Sequence, residues 1–171
     1  MKERAKAVFL DRDGVINEVK TDRVNLVNRP QDFHLLKGVP EAIAKLRSHG
    51  YKIFVVTNQG GVGLGYINEK TLEKIHEKMQ KDLIAKHPRA IIDDILYCPH
   101  KPFEGCSCRK PRAGMILKLA KKYQVDLSRS WMIGDRQTDL EAGQRAGCRS
   151  VLVSGKYTLW DFACSLDKKE E

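Results

Sequence analysis

Five short apolar runs, rich in β-branched and aromatic residues, recur along the chain and alternate with segments of helical periodicity. The runs read AKAVFL, YKIFVV, IIDDILY, SWMIG and SVLV, and loop-forming residues follow each of them. Alternation of strand and helix along one chain is typical of a parallel sheet with helices on both faces. The sequence therefore predicts an α/β fold, a Rossmann-like three-layer sandwich with a mainly parallel sheet.

Four segments between these runs have the spacing of amphipathic helices. The first covers about residues 39–46, and the second covers about residues 72–83 with Asn68 as its N-cap. The third covers about residues 113–123, and the fourth covers about residues 135–147. Residues 18–36 have no clear periodicity, which predicts a long loop, and long loops beside a site are often functional.

Size and composition limit what the chain can be. A length of 171 residues predicts one domain over residues 1–171. No apolar stretch resembles a secretory signal or a membrane span, so we expect a cytoplasmic protein without a membrane partner. We also expect a monomer. The net charge of +9 suits a small anionic ligand, a polyanion or a solvated basic surface alike. Aromatic residues are only 7% of the chain and form no basic stripe, which argues against nucleic acid.

Polar residues stand directly after three of the apolar runs, and a fourth group precedes the third helix. These groups are DRDG at 11–14, TNQ at 57–59, RKP at 109–111, and Asp135 with Asp139 nearby. In open α/β sheets, ligands bind beyond the carboxyl ends of the strands. Chance placement on the surface explains any one of these groups, but it explains all four poorly.

The chemistry that needs this set of side chains is phosphoryl transfer. A carboxylate such as Asp11 can attack phosphorus, but cations must first cancel its repulsion from the phosphate. Asp11 and Asp135 offer hard oxygen ligands for Mg²⁺, Lys110 offers a positive charge, and Thr57 offers a hydroxyl donor. Asp13 lies two residues beyond Asp11, so on an extended chain both carboxylates lean to the same side. Asp13 is therefore predicted to act as the general acid and base.

A second signal is a cluster of soft ligands in one loop, at about residues 98–110. Its members are Cys98, His100, Cys106 and Cys108. Four such ligands match a closed tetrahedral zinc site, which has no position left for substrate and is therefore structural. In a reducing cytoplasm, this pattern favours a metal over disulfides. We expect the zinc to orient Arg109 and Lys110, which follow Cys108 directly.

From about residue 7 to 153, the motifs DRDGV, TNQ, RKP and GDRQTD resemble the four motifs of the haloacid dehalogenase phosphatases. The resemblance implies that Asp11 is the nucleophile and Asp13 the acid and base, which also binds magnesium through its backbone carbonyl. It further implies that Thr57 and Lys110 are phosphate clamps and that Asp135 is the outer magnesium ligand. Asp139 would be the partner of the lysine or of metal-bound waters. The remaining expected site residues are Asn58, Gln59 and Arg109, which would bind substrate, and Arg136, which would have a supporting role.

The cysteine-rich loop ending in CRKP resembles a narrower subgroup of that family, which includes the heptose 1,7-bisphosphate phosphatases and the histidinol-phosphatase domain. This subgroup lacks a large cap domain, and residues 14–38 and 59–68 leave room only for loops. The leading hypothesis is an aspartyl-phosphate enzyme of carbohydrate metabolism that removes the 7-phosphate from D-glycero-D-manno-heptose 1,7-bisphosphate. Histidinol phosphate and a polynucleotide 3′-phosphate are alternative substrates. A zinc-stabilised binding module is the alternative outside enzymology.

Overall fold

Five parallel strands form the centre of the computed structural model, which describes residues 2–169. The strands are β1 (Lys6–Leu10), β2 (Tyr51–Asn58), β3 (Asp94–Cys98), β4 (Trp131–Gly134) and β5 (Arg149–Leu152). Their order across the sheet is β3-β2-β1-β4-β5, and every neighbouring pair is parallel. The predicted α/β class and parallel sheet are therefore confirmed.

Five α-helices connect and cover the strands. They are α1 (Val39–Ser48), α2 (Glu69–Lys86), α3 (Gly114–Tyr123), α4 (Gln137–Ala146) and α5 (Leu159–Ser165). The four predicted helices are confirmed to within a few residues, and the Asn68 side chain accepts a hydrogen bond from the Thr71 amide at 2.8 Å. Helix α5 was not predicted because its seven residues are too few for a clear period. Its signal was the capping box formed by Thr158 and Asp161.

The side chains of the central strands alternate between two cores, one on each face of the sheet. Val8 and Leu10 of β1 belong to the core under α1, α2 and α5, whereas Ala7 and Phe9 belong to the core under α3 and α4. Phe9 and Phe54 are both fully buried in the second core, with ring centroids 5.5 Å apart. Both faces of the sheet are thus covered, as in other parallel sheets.

The third strand begins at Asp94, three residues later than the apolar run IIDDILY predicts. The reason lies in Asp93, whose amide donates to the Ile53 carbonyl at 2.7 Å. The Asp93 carboxylate also accepts from the Ile53 amide at 2.8 Å and pairs with Arg47 at 2.7 Å. Because the Asp93 carboxylate accepts the hydrogen bond from the Ile53 amide, the regular ladder between β2 and β3 starts only at Asp94.

Residues 14–38 and 59–68 form loops, as predicted, and the first contains one short 3-10 helix, Pro30–Asp32. The first loop is tied to the body because the Glu18 amide donates to the His34 carbonyl at 2.9 Å. Its side chains Val24, Val27 and Phe33 are buried in the core. No cap domain covers the carboxyl end of the sheet within residues 2–169. None of the helices described there is both long and apolar enough to cross a membrane.

Candidate active site

The carboxyl ends of the three central strands meet at one edge of the sheet. Leu10, the last residue of β1, is in register with Val55 of β2 and with Ile133 of β4. The Asp11 amide continues this pairing and donates to the Ile133 carbonyl at 3.1 Å. The predicted residues that follow β1, β2 and β4 therefore lie close together at this edge of the sheet.

Lys110 lies at the centre of this group, and its side chain is only 3% exposed. Its ammonium contacts Asp11 Oδ1 at 3.0 Å and Asp139 Oδ1 at 2.7 Å. It also donates to the Val56 carbonyl at 2.8 Å. The three donors of the ammonium are thus all in use. Asp139 is equally constrained, because its Oδ2 accepts from the Arg136 amide at 3.2 Å at the start of α4.

Burial and charge act in opposite directions on these groups. Burial raises the pKa of Asp11 to about 6, although Lys110 opposes the shift. Burial alone would lower the pKa of Lys110, but the carboxylates of Asp11 and Asp139 together raise it above its ordinary value. The lysine is therefore charged at neutral pH, and the Asp11 carboxylate needs further positive charge to stay ionised when a phosphate approaches.

Three carboxylates at this edge can hold a metal ion. Oxygens of Asp11, Asp135 and Asp139 all lie within 4.8 Å of one another. Asp135 Oδ1 is buried, and no residue of 2–169 gives it a hydrogen bond. Burial and the Asp139 carboxylate raise the pKa of Asp135. A buried carboxylate oxygen without a donor beside further carboxylates fits a hard divalent cation such as Mg²⁺.

Gly14 permits this arrangement of carboxylates in two ways. Its φ of +82° belongs to the left-handed region, and a Cβ at this position would overlap the Asp135 carboxylate. Asp135 can therefore approach the backbone after β1 only because residue 14 has no side chain.

Arg12 lies at a bend and Asp13 in an isolated β-bridge with Asn17, so the chain does not continue as the extended strand that the sequence predicts. The Arg12 carbonyl accepts from the amides of Val15 and Ile16, at 3.2 Å and 2.8 Å. The Asp13 carboxylate is nevertheless held at the site, because its Oδ2 accepts from Gln59 Nε2 at 3.1 Å. Burial would raise its pKa, but the Arg12 guanidinium and the amide donors outweigh that effect and lower it.

The three residues after β2 serve different partners. Thr57 is buried, and its hydroxyl accepts from Gln59 Nε2 at 2.9 Å, so Gln59 connects Thr57 to Asp13. The Asn58 amide pairs with the Lys110 backbone on both sides, donating to the carbonyl at 3.1 Å and accepting from the amide at 2.9 Å. In this structure Asn58 thus fixes the backbone of Lys110.

The four soft ligands of the loop after β3 also come together. Cys98 Sγ lies 3.0 Å from Cys108 Sγ and 3.6 Å from Cys106 Sγ. His100 Nδ1 lies 3.3 Å from Cys98 Sγ and 3.1 Å from Cys108 Sγ. The cysteines are free of disulfides, and all four ligand atoms lie within 4.8 Å of one another. This set of three cysteine sulfurs and one imidazole is compatible with zinc.

The electrostatics of the loop favour at least one thiolate. Burial disfavours the Cys106 thiolate, but backbone amides and the neighbouring thiols outweigh it and lower the pKa of Cys106 to about 6. Burial raises the pKa of Cys98 to about 12. Arg109 follows this cluster, and its guanidinium donates to the His100 carbonyl at 3.3 Å. The cluster and the Arg109 side chain are therefore directly connected.

Three residues around Asp13 were missed by the sequence analysis. Arg12 is fully buried, and its guanidinium contacts Asp13 Oδ1 at 2.8 Å and His76 Nε2 at 3.1 Å. Asn17 donates to the same oxygen of Asp13 at 3.0 Å. Of these three residues, only His76 could have been recognised from the sequence as a buried polar residue, because it occupies an apolar position of α2 between Leu72 and Met79.

Several known proteins are similar to this chain. A family model described as HAD-hydrolase-like matches residues 107–163. A D-glycero-beta-D-manno-heptose-1,7-bisphosphate 7-phosphatase of Helicobacter pylori strain J99 is 41% identical over 148 residues, 86% of this chain and 82% of that protein. The protein of the same name from Bordetella bronchiseptica is 39% identical over 157 residues, 90% of this chain and 85% of that protein. A Photorhabdus laumondii relative, named for the alpha anomer, is 38% identical over 151 residues, 84% of this chain and 79% of that protein.

A solved structure is similar over nearly the whole chain. The D,D-heptose 1,7-bisphosphate phosphatase from B. bronchiseptica, complexed with magnesium and phosphate, superposes with a TM-score of 0.86. It is 35% identical in sequence and covers 96% of this chain and 99% of its own.

Proposed function

The chain belongs to the haloacid dehalogenase-like family and is a phosphatase, and we propose that it removes the 7-phosphate from a heptose 1,7-bisphosphate through an aspartyl-phosphate on Asp11. The observation that carries this proposal is the group of Asp11, Lys110 and Asp139 at the meeting point of three strand ends. Relatives named for this reaction at about 40% identity support the substrate.

Magnesium is the proposed catalytic cofactor. Asp11, Asp135 and the Asp13 backbone carbonyl would hold it, which fits the buried Asp135 oxygen that has no protein donor. When bound, the ion supplies positive charge that offsets the repulsion between the nucleophile and the phosphate. The relative solved with magnesium and phosphate supports this proposal. Asp139 is proposed to serve Lys110, because both of its oxygens already have partners.

In the first half of the proposed reaction, a carboxylate oxygen of Asp11 attacks phosphorus and the bond to the sugar oxygen breaks. Lys110 neutralises charge on the phosphoryl group, and Thr57 donates a hydrogen bond to it. Asp13 gives a proton to the departing sugar oxygen. The proton leaves from Oδ2, because Oδ1 accepts three hydrogen bonds from Arg12 and Asn17, whereas Oδ2 accepts only the one from Gln59 among the described residues.

In the second half, the same carboxylate acts as a base. Oδ2 of Asp13 takes a proton from a water molecule, whose oxygen attacks the phosphorus of the aspartyl-phosphate. The phosphorus bond to Asp11 breaks, which restores the free carboxylate and releases inorganic phosphate. Gln59 supports both halves, since its side-chain amide connects Asp13 Oδ2 to the Thr57 hydroxyl.

A basic cavity beside Lys110 supports a substrate with two phosphates. The cavity has a volume of about 420 Å³ and is lined in part by residues 101–106 of the loop after β3. Its lining includes one glutamate and six basic residues, which are Lys101, Arg109, Lys110, Arg112, Arg136 and Arg145. We propose that Arg109, which lies next to Lys110, offers a planar fork to the distal phosphate.

A substrate panel tests both the reaction and the role of Arg109. The wild-type protein should prefer a heptose 1,7-bisphosphate, in one or both anomers, over histidinol phosphate, a 3′-phosphorylated oligonucleotide and an aryl phosphate. Arg109→Ala should raise KM for the bisphosphate by about ten-fold, equivalent to about 1.4 kcal/mol, because the second phosphate loses its partner. The aryl phosphate has no second phosphate and should lose much less. The measurement is kcat/KM for each compound on both proteins.

Arg112→Ala is the comparison variant. Arg112 lines the same cavity, but its guanidinium donates to the Cys106 carbonyl, so its loss should raise KM for the bisphosphate less than the loss of Arg109 does. Equal losses on every substrate in Arg109→Ala would assign Arg109 to the transferred phosphate or to the shape of the loop. A wild-type preference for histidinol phosphate or the oligonucleotide would overturn the proposed substrate.

We propose that zinc occupies the four-ligand cluster and stabilises the loop that carries Arg109 and Lys110. Mild chelation should then remove activity that magnesium restores, while zinc stays bound, because thiolates hold zinc more tightly than oxygens hold magnesium. Cys106→Ser should lower the melting temperature and kcat/KM together. Elemental analysis and thermal melting are the measurements. The matched control is Cys164→Ser, since Cys164 lies in α5, far along the chain from the cluster.

A protein that is purified without chelators and contains no zinc, with three freely titratable loop thiols, would contradict this assignment.

Single-domain organisation, a monomeric state and a cytoplasmic location stay predictions from the sequence.

A further inference from the structure

A buried chain of polar side chains runs from helix α2 to the Asp13 carboxylate. His76 is 7% exposed and lies on the buried face of α2, between Leu72 and Met79. Its Nε2 faces Arg12 Nη1 at 3.1 Å. Because a guanidinium has no acceptor, the imidazole must accept this hydrogen bond through an unprotonated Nε2. Burial and the adjacent guanidinium lower the pKa of His76 to about 3, which agrees with a neutral ring.

The other side of the Arg12 guanidinium holds Asp13. Nε and Nη2 of Arg12 donate to Asp13 Oδ1 at 3.2 Å and 2.8 Å. Arg12 is fully buried, and its one ion pair among the described residues is with Asp13. Because both donors converge on one oxygen, Arg12, which contacts His76 through Nη1, fixes the position of Asp13 Oδ1, while Gln59 holds Oδ2. The position of Oδ1, and with it the direction in which Oδ2 points, therefore depends on a residue of α2 that does not touch Asp13.

We propose that His76 and Arg12 are positioning residues that keep Asp13 Oδ2 aimed at the leaving oxygen and at the attacking water. This inference rests on the proposed acid and base role of Asp13. Losing the acceptor on His76 would let the guanidinium turn toward another acceptor and take the Asp13 carboxylate with it. The cost should fall on proton transfer more than on phosphate binding, since Thr57 and Lys110 are held by other contacts.

The test uses leaving groups that differ in their need for a proton. His76→Leu removes the acceptor, whereas His76→Gln keeps a carbonyl oxygen that can accept from Arg12. His76→Leu should lower kcat/KM for the sugar phosphate, whose leaving alcohol needs a proton, by at least about ten-fold. It should lower kcat/KM for an activated aryl phosphate much less, and phosphate should then accumulate on the protein because water is activated poorly. His76→Gln should stay within about three-fold of the wild type on both substrates.

Ile75→Val is the matched control, because it removes one methyl group from the same buried face of α2. It should lower the melting temperature without changing the ratio between the two substrates. If His76→Leu does not fold, Arg12→Lys gives the same test, since lysine cannot make the two-pronged contact with Asp13.

Two results overturn the inference. One is a loss in His76→Leu, or in Arg12→Lys, that is equal on both substrates, and the other is no loss at all. These results differ from failure of the proposed function, which the wild-type protein reports by itself. A wild-type protein that turns over substrate without forming a trappable aspartyl-phosphate would refute the reaction, whatever the His76 variants do.

Discussion

Asp11→Asn should reduce phosphate release by at least about 10⁴-fold while leaving the fold intact. The amide has nearly the shape of the carboxylate, but it cannot form the aspartyl-phosphate. Other residues at this edge do not replace it, because Asp139 is paired with Lys110 and Asp13 is held by Arg12. The measurements are phosphate release under substrate saturation and trapping of labelled phosphate on the protein, which should both fall to background.

Stability should change little in this variant. Burial raises the pKa of Asp11 to about 6, so the folded metal-free protein holds the charged form of this side chain less readily than the unfolded chain does. The stability that this shift contributes is complete below the unfolded pKa and is lost as the pH rises through about 6. At neutral pH, a neutral asparagine therefore avoids the cost of a buried charge. Lys110 keeps its other two partners, Asp139 and the Val56 carbonyl.

Asp126→Asn is the matched control for the same chemical change away from the site, since Asp126 pairs with Ala5 at the amino end of β1. It should retain full activity. Asparagine 11 must be checked for deamidation by mass spectrometry, because a small deamidated fraction would mimic residual turnover. Substantial turnover in a folded, undeamidated Asp11→Asn protein would remove Asp11 as the nucleophile.

The strands and helices that position the site could be predicted because their patterns are local. Five apolar runs gave the strands, and helical spacing with N-cap and stop residues gave α1 to α4. The predicted start of the third strand was wrong because Asp93 is hydrogen-bonded to Ile53 of the neighbouring strand, a contact between distant parts of the chain. Helix α5 was not predicted for a different reason. Its seven residues are too few to show a helical period, and only its capping box marks it.

The candidate site also has one part that could be predicted from the sequence and one part that could not. Asp11, Lys110 and Asp135 could be placed near one another because each follows or precedes an element whose end was predictable. The arrangement around Asp13 could not, because it depends on a buried arginine. Nothing in the sequence DRDG indicates that Arg12 turns inward, and a charged residue is ordinarily exposed unless it is paired. Its second partner, His76, lies 64 residues away on α2, so the contact appears only when the helix is packed.

Asp13→Asn should fail in a different manner from Asp11→Asn. With an activated aryl phosphate, the first half of the reaction needs little help from an acid, so Asp11 should still become phosphorylated. Hydrolysis of the aspartyl-phosphate then lacks its base, and kcat should fall by about 10²- to 10⁴-fold. Labelled phosphate should accumulate on the protein to a large fraction of one equivalent, measured after acid quench at successive times.

The same substitution should also cost stability, and this cost separates the role of Asp13 from that of Asp11. Arg12 is fully buried and has its ion pair with Asp13, so an uncharged residue at 13 leaves a buried guanidinium without a counter-charge. Breaking such a pair typically costs roughly 3 kcal/mol. Urea unfolding at neutral pH should therefore show a clear loss for Asp13→Asn and little for Asp11→Asn. A double variant, Asp13→Asn with Arg12→Met, should recover part of the stability without recovering hydrolysis, since it removes the unpaired charge but supplies no base. Rapid release of phosphate by either protein, with no accumulation on Asp11, would show that another group activates the water.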